Sequence, residues 1–171
     1  MKDWTGQEFK HNQGRESHYK KMRFELRNIL QRYKFTHFIT LASNHQLLKY
    51  QRMHSLLKRW DARVNREING PRWAARPDER LIWFAFPEKM DVNPHWHMVV
   101  QVDPEINMPR RAERTKQLPL IGEKHWLELV PRGSFDCQSV ESSDVNRYIT
   151  KMSADETHFN KFVMSREFIS I

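Results

Sequence analysis

RLIWFAF (80–86), PEKMDVNP (87–94) and HWHMVVQV (95–102) together decide the fold class. The two outer segments are short, apolar and rich in aromatic and β-branched side chains, which is the composition of strands. Between them lies a turn-rich segment bounded by Pro87 and Pro94. Strands this close in sequence pair as an antiparallel hairpin.

Upstream, FTHFITLAS (35–43) alternates and reads as another strand. Before it, Met22, Leu26, Ile29, Leu30 and Tyr33 recur at helical spacing, so Ser17 to Tyr33 is expected to be a helix. Asn44 is the expected N-cap of a second helix reaching about Glu67, with Leu47, Leu48, Leu56, Leu57 and Trp60 among its apolar positions. NGPRWAARPDER (69–80) reads as a loop by its Gly and Pro content. Downstream, a shorter helix is expected from about Pro109 to Gln117, which Pro119 ends or kinks. Ser134 to Val140 reads as a strand, and Ser142 or Ser143 as the cap of a last helix carrying DVNRYITKM. This order predicts an α+β fold, a central antiparallel sheet with flanking helices.

A chain of 171 residues is long enough for one domain with its own core. With 39% hydrophobic and 29% charged residues, the composition is neither that of a disordered chain nor that of a membrane protein. The polar start MKDWTGQEFKHNQGR lacks the apolar stretch of a secretory signal. The single cysteine, Cys137, excludes an internal disulfide framework and a cysteine-cluster zinc site. A cytoplasmic location is expected. The net charge of +8 points to a polyanionic partner, because each phosphate contact releases condensed counterions.

The sharpest chemical feature is His95-Trp96-His97. Side chains alternate faces along a strand, so both imidazoles point one way and Trp96 the other. Two imidazoles so placed can reach one divalent ion. Glu88, at the end of the preceding strand, is brought beside them by the hairpin, and Asp91 in the turn is a rival ligand. A His₂-carboxylate site with open positions suits Mn²⁺ or Mg²⁺ acting on a phosphodiester. The second feature is Tyr148-Ile149-Thr150-Lys151, whose tyrosine and lysine share a helix face. A free tyrosine hydroxyl, with a pKa of about 10, is a poor nucleophile, and an adjacent cation with a polarised phosphate makes it competent.

Taken in order, FITLAS (38–43), PHWHMVV (94–100) and RYITK (147–151) resemble the three motifs of the HUH endonucleases, specifically the single-tyrosine replication initiators (Rep proteins) of rolling-circle plasmids and single-stranded DNA viruses. The resemblance runs from about Phe35 to Lys151. It implies a Rep-like, ferredoxin-like sandwich, expected to occupy 17–155 between a polar tail at 1–16 and a short extension at 156–171; many replication initiators carry a helicase or an origin-binding domain after the nuclease, and in departure from them no helicase domain is expected here. It further implies that His95, His97 and Glu88 are metal ligands for Mn²⁺ or Mg²⁺, Tyr148 the nucleophile and Lys151 its helper. The activity implied is sequence-specific nicking and joining of single-stranded DNA through a 5′-phosphotyrosine link. The implied partners are an origin or hairpin strand and the host helicase and polymerase, in a prokaryotic cell or on a mobile element. The first motif ends in Ala-Ser rather than the more usual threonine-rich ending. A single-strand transposase or a mobilisation relaxase would use the same site. A non-catalytic basic nucleic-acid-binding module is the alternative outside the class.

Arg59, Trp60, Arg63, Arg66, Arg72, Trp73, Arg76 and Arg80 interleave guanidinium groups with indoles, a mixture that holds single-stranded nucleic acid. The same pattern fits a solvated basic helix and a loop whose tryptophans pack inward. Arg110, Arg111, Arg114 and Lys116 form a second basic patch with the same two readings.

Overall fold

The computed structural model of the chain describes residues 5–44, 48–102, 113, 116–140 and 161–169, with side chains from residue 18 onward. Among them are α1 (Thr5–Leu30), β1 (His37–Ala42), α2 (Tyr50–Asn69), β2 (Ile82–Glu88), β3 (His95–Gln101), α3 (Leu118–Leu129), β4 (Ser134–Ser139) and β5 (Val163–Met164). The strands form one sheet in the order β4-β1-β3-β2-β5, every pair antiparallel. The α+β class and the β2–β3 hairpin are as expected.

Strand alternation gives this sheet two apolar faces. Ile39, Leu41, Trp83, Ala85, Trp96, Met98 and Val100 pack against Met53, Leu57, Trp60 and Val64 of α2 and Ile121 and Trp126 of α3. On the other face, Phe38, Phe84, Phe86 and Val99 meet Leu26 and Leu30 of α1 together with Phe35. Burying a large apolar side chain contributes about 1.5–3 kcal/mol, so both layers are strongly held. The first core contains Trp60, Trp83, Trp96 and Trp126, all fully buried. Each indole N–H donates to a fixed acceptor: Gly122 O at 2.9 Å, Asp61 Oδ1 at 2.8 Å, Met53 O at 3.3 Å and Ala42 O at 3.0 Å, respectively. These bonds orient the rings as well as satisfying the donors.

Several boundaries differ from expectation for identifiable reasons. Residues 1–16 read as a polar tail, yet α1 is already helical from Thr5. Once the packed turns around Leu26 and Leu30 have formed, extending a helix needs no core contacts of its own. Asn44 does not cap α2. It takes a left-handed conformation, φ 51°, which asparagine tolerates, and the helix starts at Tyr50. At the other end Gly70, φ 83°, closes α2 with its N–H on Arg66 O, the glycine stop a helix favours. Pro119 starts a helix rather than ending one, because it lies in the first turn of α3, where the missing N–H costs nothing. Of the helix expected at 109–117, Glu113 and Lys116 are helical and most of the rest lies outside the described residues. The extension at 156–171 is partly built into the domain: β5 pairs with β2, and Phe168 joins the first core. The last expected helix, with Tyr148 and Lys151, lies outside the described residues, as do Arg110, Arg111 and Arg114.

Candidate metal centre

Strand register assembles the site. Glu88 closes β2 directly opposite His95, which opens β3, and His97 lies opposite Phe86 on β2 and Thr40 on β1. Glu88, His95 and His97 therefore share one face at the turn end of the hairpin. Trp96 points away into the first core, as strand alternation requires. One ligand atom from each of the three residues lies within 4.8 Å of the others, and this is the one such group of three or more among the described residues. Asp91 is exposed in the turn and stands outside the group, so Glu88 is the carboxylate of the site.

His95 Nδ1 is 2.7 Å from Asn93 O. A carbonyl oxygen only accepts, so Nδ1 carries the hydrogen and Nε2 of the neutral ring is a bare lone pair. That lone pair faces Glu88 Oε2 at 3.4 Å. His97 meets the same oxygen with Nε2 at 2.6 Å, and its Nδ1 is 3.1 Å from Thr40 Oγ1. Two imidazole nitrogens thus converge on one carboxylate oxygen, an arrangement that needs a proton or a cation between the groups. Burial alone would raise the Glu88 carboxyl. The facing His97 and His95, by charge and hydrogen bonding, outweigh it and hold Glu88 below the usual carboxylate range. The carboxylate is then ionised near neutral pH, as a ligand must be.

The donor set fits a divalent ion. Nitrogen and oxygen ligands bind at about 2.1 Å, which puts two donors of one ion about 3.0–3.4 Å apart. The His95–Glu88 separation of 3.4 Å lies in that window, and the His97–Glu88 separation of 2.6 Å is a hydrogen bond a few tenths of an ångström tighter. The side chains of His95 and His97 are 11% and 20% exposed and Glu88 33%, so the group is sheltered yet reachable. Phe38 stacks on His97 with centroids 5.5 Å apart and planes at 21°, and the two imidazoles meet edge to face. Asn93, Phe38 and Thr40 were not singled out from the sequence. Their contacts depend on strand register, which no local pattern reveals.

The Arg/Trp segment lies elsewhere. α2 crosses the opposite face of the sheet, and residues 70–80 lead into the start of β2, about 20 Å along the strand from Glu88. Trp60 is fully buried. Arg80 is buried against Asp61, with its guanidinium 4.7 Å from the Trp73 ring centroid. Arg63 pairs with Glu128 at 2.9 Å and Arg76 with Glu79 at 3.3 Å. Arg59, Arg66 and Arg72 are exposed, and Trp73 is half-buried. Trp60 and Arg80 thus serve the core, while Arg59, Arg63, Arg72 and Arg76 stay at the surface on the side away from the centre.

Among the described residues no helix is long and apolar enough to cross a membrane. Set against models of known families, curated proteins and solved structures, the chain matches none.

Proposed function

We propose that the chain is a single-stranded DNA endonuclease of the HUH type, which nicks and rejoins through Tyr148 and thereby initiates rolling-circle replication. The observation that carries this reading is the convergence of His95 Nε2 and His97 Nε2 on Glu88 Oε2 beside a solvent-reachable face. The motif order supports it, with RYITK following the histidine pair.

Two nitrogens and one carboxylate favour Mn²⁺ or Mg²⁺ over a thiolate-loving metal, since no cysteine joins the group. When bound, such an ion polarises a phosphodiester oxygen and stabilises the charge that builds on phosphorus. Glu88, ionised and held by the hairpin, supplies the anionic donor, and the two imidazoles present their Nε2 atoms. Tyr148 Oη attacks the scissile phosphorus, forming the new P–O bond as the bond to the 3′ oxygen breaks. The phenolic proton leaves, and the 3′ oxygen takes up a proton to end as a hydroxyl. Lys151, one turn along the same expected helix, favours the phenolate by its charge. The phosphodiester energy is retained in the phosphotyrosine, so attack by another 3′-hydroxyl rejoins the strand.

Two of the other three tyrosines suit this role poorly. Tyr33 stacks with Phe35 and packs edge-on against Phe84. Tyr50 packs on the opposite core, donates to Lys161 O at 3.1 Å, and is pushed above the usual phenol range by burial and by Glu167, away from easy ionisation. The test is incubation with a pool of single-stranded oligonucleotides and Mn²⁺. A covalent adduct on a denaturing gel, mapped to the peptide holding Arg147 to Lys151 and absent in Tyr148→Phe, is the expected result. No adduct, or one on another tyrosine, overturns the reading and leaves a basic, non-catalytic binding module.

A further inference from the structure

The first motif, FITLAS, has no part in the chemistry above, yet β1 runs beside β3 along its whole length. Thr40 is the register partner of His97, and its Oγ1 lies 3.1 Å from His97 Nδ1. Phe38, two residues earlier and so on the same face, lays its ring against the same imidazole at 5.5 Å and 21°. His97 therefore touches Glu88 with one nitrogen, Thr40 with the other and Phe38 with its ring face.

We infer that Thr40 is a positioning residue of the metal centre: when an ion takes the place of the hydrogen between His97 Nε2 and Glu88, the ring carries its hydrogen on Nδ1, and the Thr40 hydroxyl oxygen accepts it and keeps His97 Nε2 presented to the ion. This rests on the reading of Glu88, His95 and His97 as metal ligands. His95 needs no such side chain, because Asn93 O already fixes its Nδ1 hydrogen at 2.7 Å. Without an acceptor at Nδ1, His97 is free to place its single hydrogen on Nε2, the tautomer that cannot ligate. Phe38 adds orientation, and its own burial at 7% exposure makes it a poor test because its loss also opens the second core. Thr40 is half-buried and β-branched in a strand, so valine replaces it with the same shape and no acceptor. Through Phe38 and Thr40, the FITLAS strand thus holds a ligand of the metal.

The experiment is a Mn²⁺ titration of the full chain without DNA, followed by electron paramagnetic resonance, for wild type, Thr40→Val and Thr40→Ser. Partners behind a ligand typically change metal affinity by about 10–100-fold, so Thr40→Val should bind at least about tenfold more weakly. Thr40→Ser, which keeps the hydroxyl, should recover to within about threefold. Imidazole ¹⁵N spectra of the Zn²⁺-loaded protein should show a protonated His97 Nδ1 in wild type and Thr40→Ser and its weakening in Thr40→Val. Wild-type affinity in Thr40→Val, or equal losses in the valine and serine variants, overturns the assignment. Because the titration contains no DNA, strand cleavage can fail while this ratio stands.

Discussion

Asp61 and Arg80 form a buried ion pair whose disruption can be worked out from its contacts. The two side chains are 1% and 5% exposed. The Asp61 carboxylate also accepts Trp83 Nε1 at 2.8 Å and Asn65 Nδ2 at 2.9 Å. Burial outweighs the lowering by Arg80, Trp83 and Asn65 and holds the Asp61 carboxyl above the usual carboxylate range. Asp61→Ala removes one charge and leaves the other in the core, where an uncompensated partner costs about 3–5 kcal/mol. The orphaned Trp83 indole adds to that cost, since an unsatisfied buried donor is worth about 1–3 kcal/mol, but the two overlap because water entering to solvate Arg80 also reaches the indole. Taking about 4 kcal/mol, against the 5–15 kcal/mol typical of a whole domain, the melting temperature should fall by roughly 8–16 °C. Asp61→Ala with Arg80→Leu removes the stranded charge, so the double variant should be more stable than Asp61→Ala alone, a coupling visible in a double-mutant cycle. Urea unfolding of the four proteins, with far-UV circular dichroism as the probe, measures all the terms. A loss below about 1 kcal/mol in Asp61→Ala, or strict additivity of the two substitutions, would refute the reasoning and return Arg80 to the surface basic patch.

Four further outcomes are expected. His95→Ala and His97→Ala should fold, lose Mn²⁺ binding and lose DNA cleavage; cutting at the wild-type rate by either would remove the metal assignment. In the metal-free protein, the lowered Glu88 carboxyl contributes stability that is present above its unfolded value of about 4.5 and lost as pH falls through its folded value. The stability gap between wild type and Glu88→Gln should therefore close on acidification from pH 6 to pH 3, and a gap that widens on acidification would contradict the pairing. Gly133→Ala puts a Cβ 2.6 Å from Ala42 O and 2.9 Å from Val130 Cγ1, a backbone clash that should cost about 1–3 kcal/mol in a thermal melt. Tyr148→Phe should bind single-stranded DNA with an affinity that falls steeply with salt, as phosphate contacts require, and a flat salt series would remove the electrostatic part of the proposal.

The legibility of this chain follows the range of each interaction. The hairpin and the shared face of His95 and His97 were readable because both depend on neighbours a few residues apart and on the two-residue strand period. Glu88 was readable for the same reason, as the register partner of His95 across the hairpin. The start of α2 was not, because Asn44 suits a cap and a left-handed turn equally and only the packing of residues 48–57 decides between them. α3 was missed because Leu120 and Leu127 face solvent at 70% and 36% exposure, blurring the apolar stripe formed by Leu118, Ile121 and Trp126. β5 is two residues long and carries no pattern of its own. The Arg/Trp alternation misled for the opposite reason: Arg80 resembles its exposed neighbours in sequence, and only Asp61, 19 positions away, marks it as a core residue.

The candidate centre differs from an accidental histidine pair in one respect that spacing cannot encode. Two solvated imidazoles on a strand would leave all four ring nitrogens to water. Here both Nδ1 atoms are occupied, one by the carbonyl of the turn that starts β3 and one by a hydroxyl from the neighbouring strand. Both Nε2 atoms are thereby turned toward the same carboxylate oxygen, which its surroundings keep ionised. The turn that places Asn93 O is itself constrained, with Lys89 at φ 50° and its carbonyl accepting from both Val92 and Asn93 N–H. Loosening that turn should therefore impair the centre through His95 without touching a ligand, just as Thr40→Val should impair it through His97. If Lys89→Gly, which relieves the strain but frees the turn, weakens Mn²⁺ binding while leaving the melting temperature unchanged, the two Nδ1 contacts act as parts of one device. Unchanged affinity would confine the device to β1.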